Sequence, residues 1–328
     1  MADNSGRDQV RRVKVLCLHG KGTSAAILEA QTARLRHCIQ DSDTGLDVTF
    51  DFVNAPFRSE PAPPVDHFYP GPFFSFYTSS TTRSLGASHA WLLDLIERQG
   101  PYDGVIGFSQ GCALVGSLLL RVQRVHADQA LHKSSWPEAL FKFAIFICGG
   151  LPLSFLEQQG YNVSEEAKIL DEQSAQALTR QASWSAFLEK GTARWKNDNT
   201  DEKVTFDRNS CVVSSVGQLL VSTTISGLDC DQMVPEHLIQ IPTVHIYGAR
   251  DPRMLASLQL ARFCRSDRRK VYGHKQGGEW NDGSTINLGA ERVYDRLRRS
   301  ACYLSRQLGA SLLVDSRLRA VTIYISII

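Results

Sequence analysis

No stretch of about twenty uninterrupted apolar residues occurs in the 328-residue chain, so the sequence predicts no membrane-spanning helix. The first fourteen residues are polar and charged and lack the apolar core of a secretory signal, and the expectation is a cytoplasmic protein. Charge of one sign is also missing. With 36 basic and 34 acidic residues spread along the chain, the formal net charge of +2 leaves no electrostatic footprint for nucleic acid. The eight cysteines show no paired metal-ligand spacing and sit mostly inside apolar segments, where they read as reduced thiols, several of them in the core.

What is present points to one large α/β unit, because 43% hydrophobic residues over this length suffice for a doubly wound core carrying an insertion. The centre of the reading is Asp103-Gly104-Val105-Ile106-Gly107-Phe108-Ser109-Gln110-Gly111. An apolar strand ends in Gly-Phe-Ser-Gln-Gly and passes directly into helical spacing. That is a nucleophile elbow, or else a chance occurrence of the pattern in a strand-to-helix loop. In an elbow, Gly107 and Gly111 let the chain pass close to its neighbours, Ser109 is forced out above the sheet, and the first N–H groups of the helix face a developing oxyanion.

Upstream, the β-rich run 13–18 stops at His19-Gly20-Lys21-Gly22, before a helical stretch over about 24–39. The loop after such a strand supplies one oxyanion donor and the residue after the nucleophile supplies the other, which names the backbone N–H groups of Lys21 and Gln110. A phosphate-binding loop is a poor fit, since Gly-Lys-Gly-Thr lacks the Walker spacing. A strand over 47–53 leads to a loop with six aromatics in residues 68–77, where prolines and glycines forbid a regular element. Some of these rings anchor the loop and others, with Phe73, Phe74 and Tyr77 as candidates, wall an acyl pocket. On the helix over 84–99, Leu85, Leu92, Leu95 and Ile96 share a core-facing side with His89, which reads as a core histidine.

A buried strand over 142–148 precedes a polar stretch, about 153–236, placed where a cap would cover the site and select substrate. Strand character resumes over 241–247 and ends in Gly248-Ala249-Arg250-Asp251-Pro252. A carboxylate there is either the acid of a catalytic triad or a turn-forming Asp-Pro. The expected organisation is a polar terminus over 1–12, an α/β domain over 13–308 and an atypical tail over 309–328.

Taken together, His19-Gly20-Lys21-Gly22-Thr23, Gly107-Phe108-Ser109-Gln110-Gly111, Phe146-Ile147-Cys148-Gly149-Gly150 and Gly248-Ala249-Arg250-Asp251-Pro252 resemble the fungal serine hydrolase family. Its members include thioesterases that release lovastatin-type polyketides from their synthases. The resemblance, from about residue 14 to about 278, implies an α/β-hydrolase acting on an ester or thioester without metal or cofactor. By position, Ser109 would be nucleophile and Asp251 the orienting carboxylate, and a thioester would arrive on an acyl carrier domain of a polyketide synthase.

The family's closing His-x-Gly-Gly-His is altered. Here the chain reads His274-Lys275-Gln276-Gly277-Gly278-Glu279, so the base position holds Glu279. An ordinary glutamate, with a pKa near about 4.3, is a weak base for serine. Three explanations stand: His274, otherwise a plain loop histidine, supplies the base; Glu279 serves with a pKa raised by burial; or a misread exon boundary accounts for both Glu279 and the β-prone apolar tail over 320–328. A hydrolase-fold binding protein that no longer turns over is the alternative to an enzyme.

Overall fold

The computed structural model describes residues 11–40, 46–128, 139–181, 224–225, 228–229, 233–248 and 251–274. Glu279 and the tail lie outside them, as does 182–223 of the cap-like stretch.

Six strands form one parallel sheet: β1 (Arg11–Leu18), β2 (Leu46–Val53), β5 (Gly104–Phe108), β6 (Phe143–Ile147), β9 (Thr243–Gly248) and β10 (Arg269–His274), in the spatial order β10-β9-β6-β5-β1-β2. The order reverses at β1, which pairs with β2 on one side and β5 on the other, and ligands of open α/β sheets bind at such a point. Alternation along β1 serves two cores: Val13, Val15 and Cys17 face one layer with Leu28 and Val48, while Leu16 and Leu18 face the other with Leu85, Leu92 and Leu114.

The connecting helices are α1 (Ala25–Gln31), α2 (Ala33–Gln40), α3 (Thr82–Gln99), α4 (Gln110–Asp128), α5 (Leu153–Gln158), α6 (Glu165–Gln181) and α7 (Met254–Arg262). The helix expected over 24–39 is two. Ser24 caps the first, its side chain accepting from the Ile27 N–H, and the chain leaves the helical region at Thr32, whose hydroxyl donates back to the Leu28 carbonyl. Elsewhere short antiparallel pairs occur, β3 (Phe57–Ser59) with β4 (Phe73–Ser75) and β7 (Thr224–Ile225) with β8 (Leu228–Asp229). β4 corrects the expectation that 68–77 holds no regular element. Pro72 ends the run of proline and glycine, and the next three residues are free to donate to β3. His274 is likewise not on a loop but closes β10, in register with Gly248.

Among the described cysteines, Cys17, Cys112 and Cys264 are buried, and none is in a disulfide. Among the described residues, three histidines are buried and neutral. His89 bonds the Ser117 hydroxyl at 2.8 Å, in keeping with its reading as a core residue, and burial lowers its pKa to about 4. His245 stacks on Phe146 at 5.2 Å and burial lowers it to about 3; His19, also lowered by burial, lies at about 4. Each takes up a proton more readily when the chain is unfolded, so the stability it contributes is complete above about pH 6.5 and is lost as pH falls toward the folded value. We predict that unfolding free energy, followed by urea titration, declines from pH 6.5 to 4.5. His245→Leu should make that decline shallower by about one proton, or about 1.4 kcal/mol per pH unit; an unchanged slope would contradict the assignment.

Candidate active site

The site is built on the turn between β5 and α4. Ser109 has φ of 49°, the left-handed region, which for a non-glycine residue stores about 1–3 kcal/mol of strain. The turn is held from several sides. The Ser109 N–H donates to the Ile147 carbonyl at 3.0 Å, and the Ser109 carbonyl accepts from Cys112 N–H at 3.0 Å and Ala113 N–H at 3.3 Å. The flanking glycines are required by close approach. A Cβ on Gly111 would lie 2.3 Å from the Leu18 carbonyl oxygen and one on Gly107 2.8 Å from the Cys112 nitrogen. The spacing expected of an elbow is therefore met by contacts that exclude a side chain at either glycine.

Gly20, at the end of β1, reaches the same place: a Cβ there would be 3.4 Å from the Ser109 Cβ. Among the described residues, the N–H groups of Lys21 and Gln110 have no backbone acceptor, the latter because it opens α4. They are thus free for an oxyanion. His19 shapes this loop but offers no base. Its Nδ1 bonds the Gly20 carbonyl at 2.7 Å, its Nε2 accepts from Ala55 N–H at 3.0 Å, and Phe76 lies against it at 4.9 Å.

The aromatic segment is locked to the elbow by the side chain of Gln110, a function that sequence reading missed by assigning this residue through its backbone alone. Its Oε1 accepts from Phe76 N–H at 2.9 Å, and its Nε2 donates to the Tyr77 carbonyl and the Ser75 hydroxyl, both at 3.0 Å. Phe74 pairs with the oxyanion loop, accepting from Gly22 N–H at 2.9 Å and donating to the Thr23 carbonyl at 2.8 Å. Phe76 and Tyr77 are buried, whereas Phe73 and Phe74 are partly exposed, so the anchoring rings are those nearest α4. Burial raises the Tyr77 pKa and holds the phenol neutral.

Asp251 is 7% exposed and follows the end of β9. Burial raises its pKa; the Arg253 N–H, donating to its Oδ1 at 2.8 Å, and the Cys148 thiol oppose that rise. Cys148 follows the end of β6 with φ of 51°, and burial pushes its thiol up to about 12, so it stays a donor. The only sequence sign of this role was its place in the Phe-Ile-Cys-Gly-Gly motif. Arg253 extends the arrangement to α6: its guanidinium pairs with the Asp171 carboxylate at 2.7 Å and reaches the Asp171 carbonyl at 3.1 Å and the Ser174 hydroxyl at 3.3 Å. Among the described residues no side chain hydrogen-bonds the Ser109 hydroxyl, and no group of three or more His, Cys, Asp or Glu could hold a metal.

The lock formed by Gln110 yields a direct expectation. Gln110→Leu leaves the Phe76 N–H buried without an acceptor and should lower unfolding free energy by about 1–3 kcal/mol, seen as a fall in the denaturant midpoint at unchanged m. An unaltered midpoint would mean that the aromatic segment is held by other contacts.

The sequence model of the family described as Serine hydrolase (FSH1) matches residues 9–278. A probable esterase, tazC of Aspergillus terreus, is 27% identical over 90% of this chain and 93% of its own length. Esterase FPY3 of Fusarium mangiferae is 34% identical over 43% of this chain, a stretch spanning 58% of that protein. Among solved structures, the Bacillus cereus carboxylesterase aligns over 90% of this chain and 91% of its own at 12% identity and a TM-score of 0.40. With four fifths of the sequence matched by the family and a strained serine at the sheet's switch point, this chain belongs to the serine hydrolase (FSH1) family.

Proposed function

We propose that the protein is an esterase or thioesterase that frees an apolar acyl chain in secondary metabolism, with Ser109 as nucleophile. One observation carries the reading: Ser109 takes a left-handed turn between β5 and α4, and among the described residues the backbone N–H groups of Lys21 and Gln110 have no backbone acceptor. The names borne by relatives, esterases FPY3 and tazC among them, agree with it, and none supports a binding-only protein.

In this reading the Ser109 oxygen attacks the acyl carbonyl and its proton passes to an imidazole. The carbonyl oxygen becomes an oxyanion held by the two N–H groups, and collapse expels the alcohol or thiol, which takes the proton back from the imidazole. Water repeats the sequence on the acyl-enzyme and releases the acid. Asp251 orients the imidazole, for which His274 is the candidate. His274 closes the strand beside β9, at the same end of the sheet as Asp251. With strand steps of about 4.8 Å, β10 lies three steps, or roughly 14 Å, from β5, so the chain at His274 must turn inward over β9 for the ring to reach Ser109. Phe73 and Phe74, which stay partly exposed, would line the acyl pocket, whereas Tyr77, also a sequence candidate for it, is buried as an anchor, and a thioester substrate would be delivered by an acyl carrier domain of a polyketide synthase in the cytoplasm.

Hydrolysis of short and medium p-nitrophenyl esters tests the assignment. Ser109→Ala and His274→Ala should each lower kcat/KM by about 10³-fold or more. Activity that survives His274→Ala but rises strongly in Glu279→His would place the base position at 279 and remove His274 from the mechanism.

A further inference from the structure

The end of β6 touches both the nucleophile turn and the carboxylate turn. Ile147, the last residue of the strand, accepts the Ser109 N–H at 3.0 Å, and Gly149 packs so closely that a Cβ there would lie 2.6 Å from the Ser109 carbonyl oxygen. Cys148 stands between them. Its backbone is in the left-handed region, with φ of 51°, which a non-glycine residue keeps only where its surroundings impose it. The Cys148 N–H donates to the Ile246 carbonyl of β9 at 2.8 Å, so the residue is fixed to the strand that precedes Asp251.

The side chain of Cys148 completes the link. Its thiol donates to the Asp251 carboxylate, while its sulfur takes a backbone hydrogen bond from Gly248 at the end of β9. The other bonds of residue 251 are local. Its N–H donates to the Gly248 carbonyl at 3.1 Å, its carbonyl accepts from the Met254 N–H at 3.0 Å, and its Oδ1 accepts from the Arg253 N–H at 2.8 Å. These three bonds close within the turn and would travel with it. Among the described residues no side chain other than Cys148 hydrogen-bonds this carboxylate, and that bond crosses from the β9 side to β6.

We propose that Cys148 is a positioning residue for acyl transfer: its thiol ties the Asp251 carboxylate to the short stretch that grips Ser109, and so sets the gap that the bridging imidazole must span. The inference rests on the reading of Ser109 as nucleophile and Asp251 as the orienting carboxylate. Little error is tolerated in that gap, since proton transfer needs heavy atoms about 2.6–3.2 Å apart, and a turn held by its own bonds alone does not supply such precision. The bond also favours the ionised carboxylate, the form that orients and stabilises an imidazolium. Burial keeps the thiol protonated, so the donor is present wherever an imidazole can act as base. Among the described residues the other charged group facing Asp251 is the Arg253 guanidinium, which Asp171 of α6 engages.

The rate at which a fluorophosphonate labels Ser109 in the intact protein, followed against pH, tests this role without a known substrate. Cys148→Ala should label about tenfold more slowly than the parent near neutral pH. The pH below which its labelling falls away should rise, because the ionised carboxylate has lost a donor. Cys148→Ser keeps a donor and should return the rate to within about threefold of the parent, with the parent's pH profile. In an Asp251→Ala background, Cys148→Ala should slow labelling no further, since the carboxylate it holds is gone. A parent-like rate and profile in Cys148→Ala, a Cys148→Ser protein as slow as Cys148→Ala, or an undiminished tenfold loss in the Asp251→Ala background would each overturn the positioning role, the last by showing that the cysteine serves packing alone. A parent whose Ser109 does not label, or an Asp251→Ala protein that labels as fast as the parent, would instead overturn the underlying reading and the proposal with it.

Discussion

The backbone at Ser109 is the constraint on which the rest depends. A serine held at φ of 49° survives only where its surroundings leave it no alternative, and here three strands and a helix combine to do so. β6 accepts its N–H through Ile147, the first turn of α4 donates to its carbonyl, and β1 passes so close that residue 111 has no room for a side chain. The strain is distributed into the sheet itself. The parallel register of β1, β5 and β6 thus fixes the hydroxyl's position as well as the core.

From that turn the neighbouring loops are placed by hydrogen bonds rather than by packing alone. Gln110 reaches from the start of α4 to the backbone of Ser75–Tyr77, and the same segment, through Phe74, pins the Gly20–Thr23 loop beside the serine. On the other flank, Arg253 connects the carboxylate turn to α6. Its bonds to Asp171 are partly solvent-exposed and individually modest in energy, so their effect is to set the position of α6 more than to stabilise the fold. Asp251 sits between the two systems, buried enough to raise its pKa and supplied with two donors that offset part of that cost.

Much of this was legible in the residues. A glycine two positions either side of Ser109, with an apolar run before and a helical run after, specifies the elbow because few other structures need that pattern. The face of α3 and the buried state of His89 followed from helical spacing. What escaped the sequence was set by tertiary contact. The break at Thr32 comes from one hydroxyl returning to its own helix, and β3 and β4 are three residues each and acquire strand form only by pairing. β10 was missed because its charged residues conceal the period, and with it went the position of His274, which register rather than composition places next to Gly248. The side chain of Gln110 and the thiol of Cys148 carry no local signal, since their partners are 33 to 35 and 103 residues away (251 − 148 for the latter).

The central claim is that Ser109 is an activated nucleophile aimed between the N–H groups of Lys21 and Gln110. The most direct measurement is a crystal structure of the intact protein after reaction with a fluorophosphonate. The account predicts a covalent bond from the Ser109 oxygen to phosphorus, with the phosphoryl oxygen about 2.7–3.1 Å from both backbone nitrogens. An unmodified Ser109, or an adduct whose oxygen points away from residues 21 and 110, would contradict it.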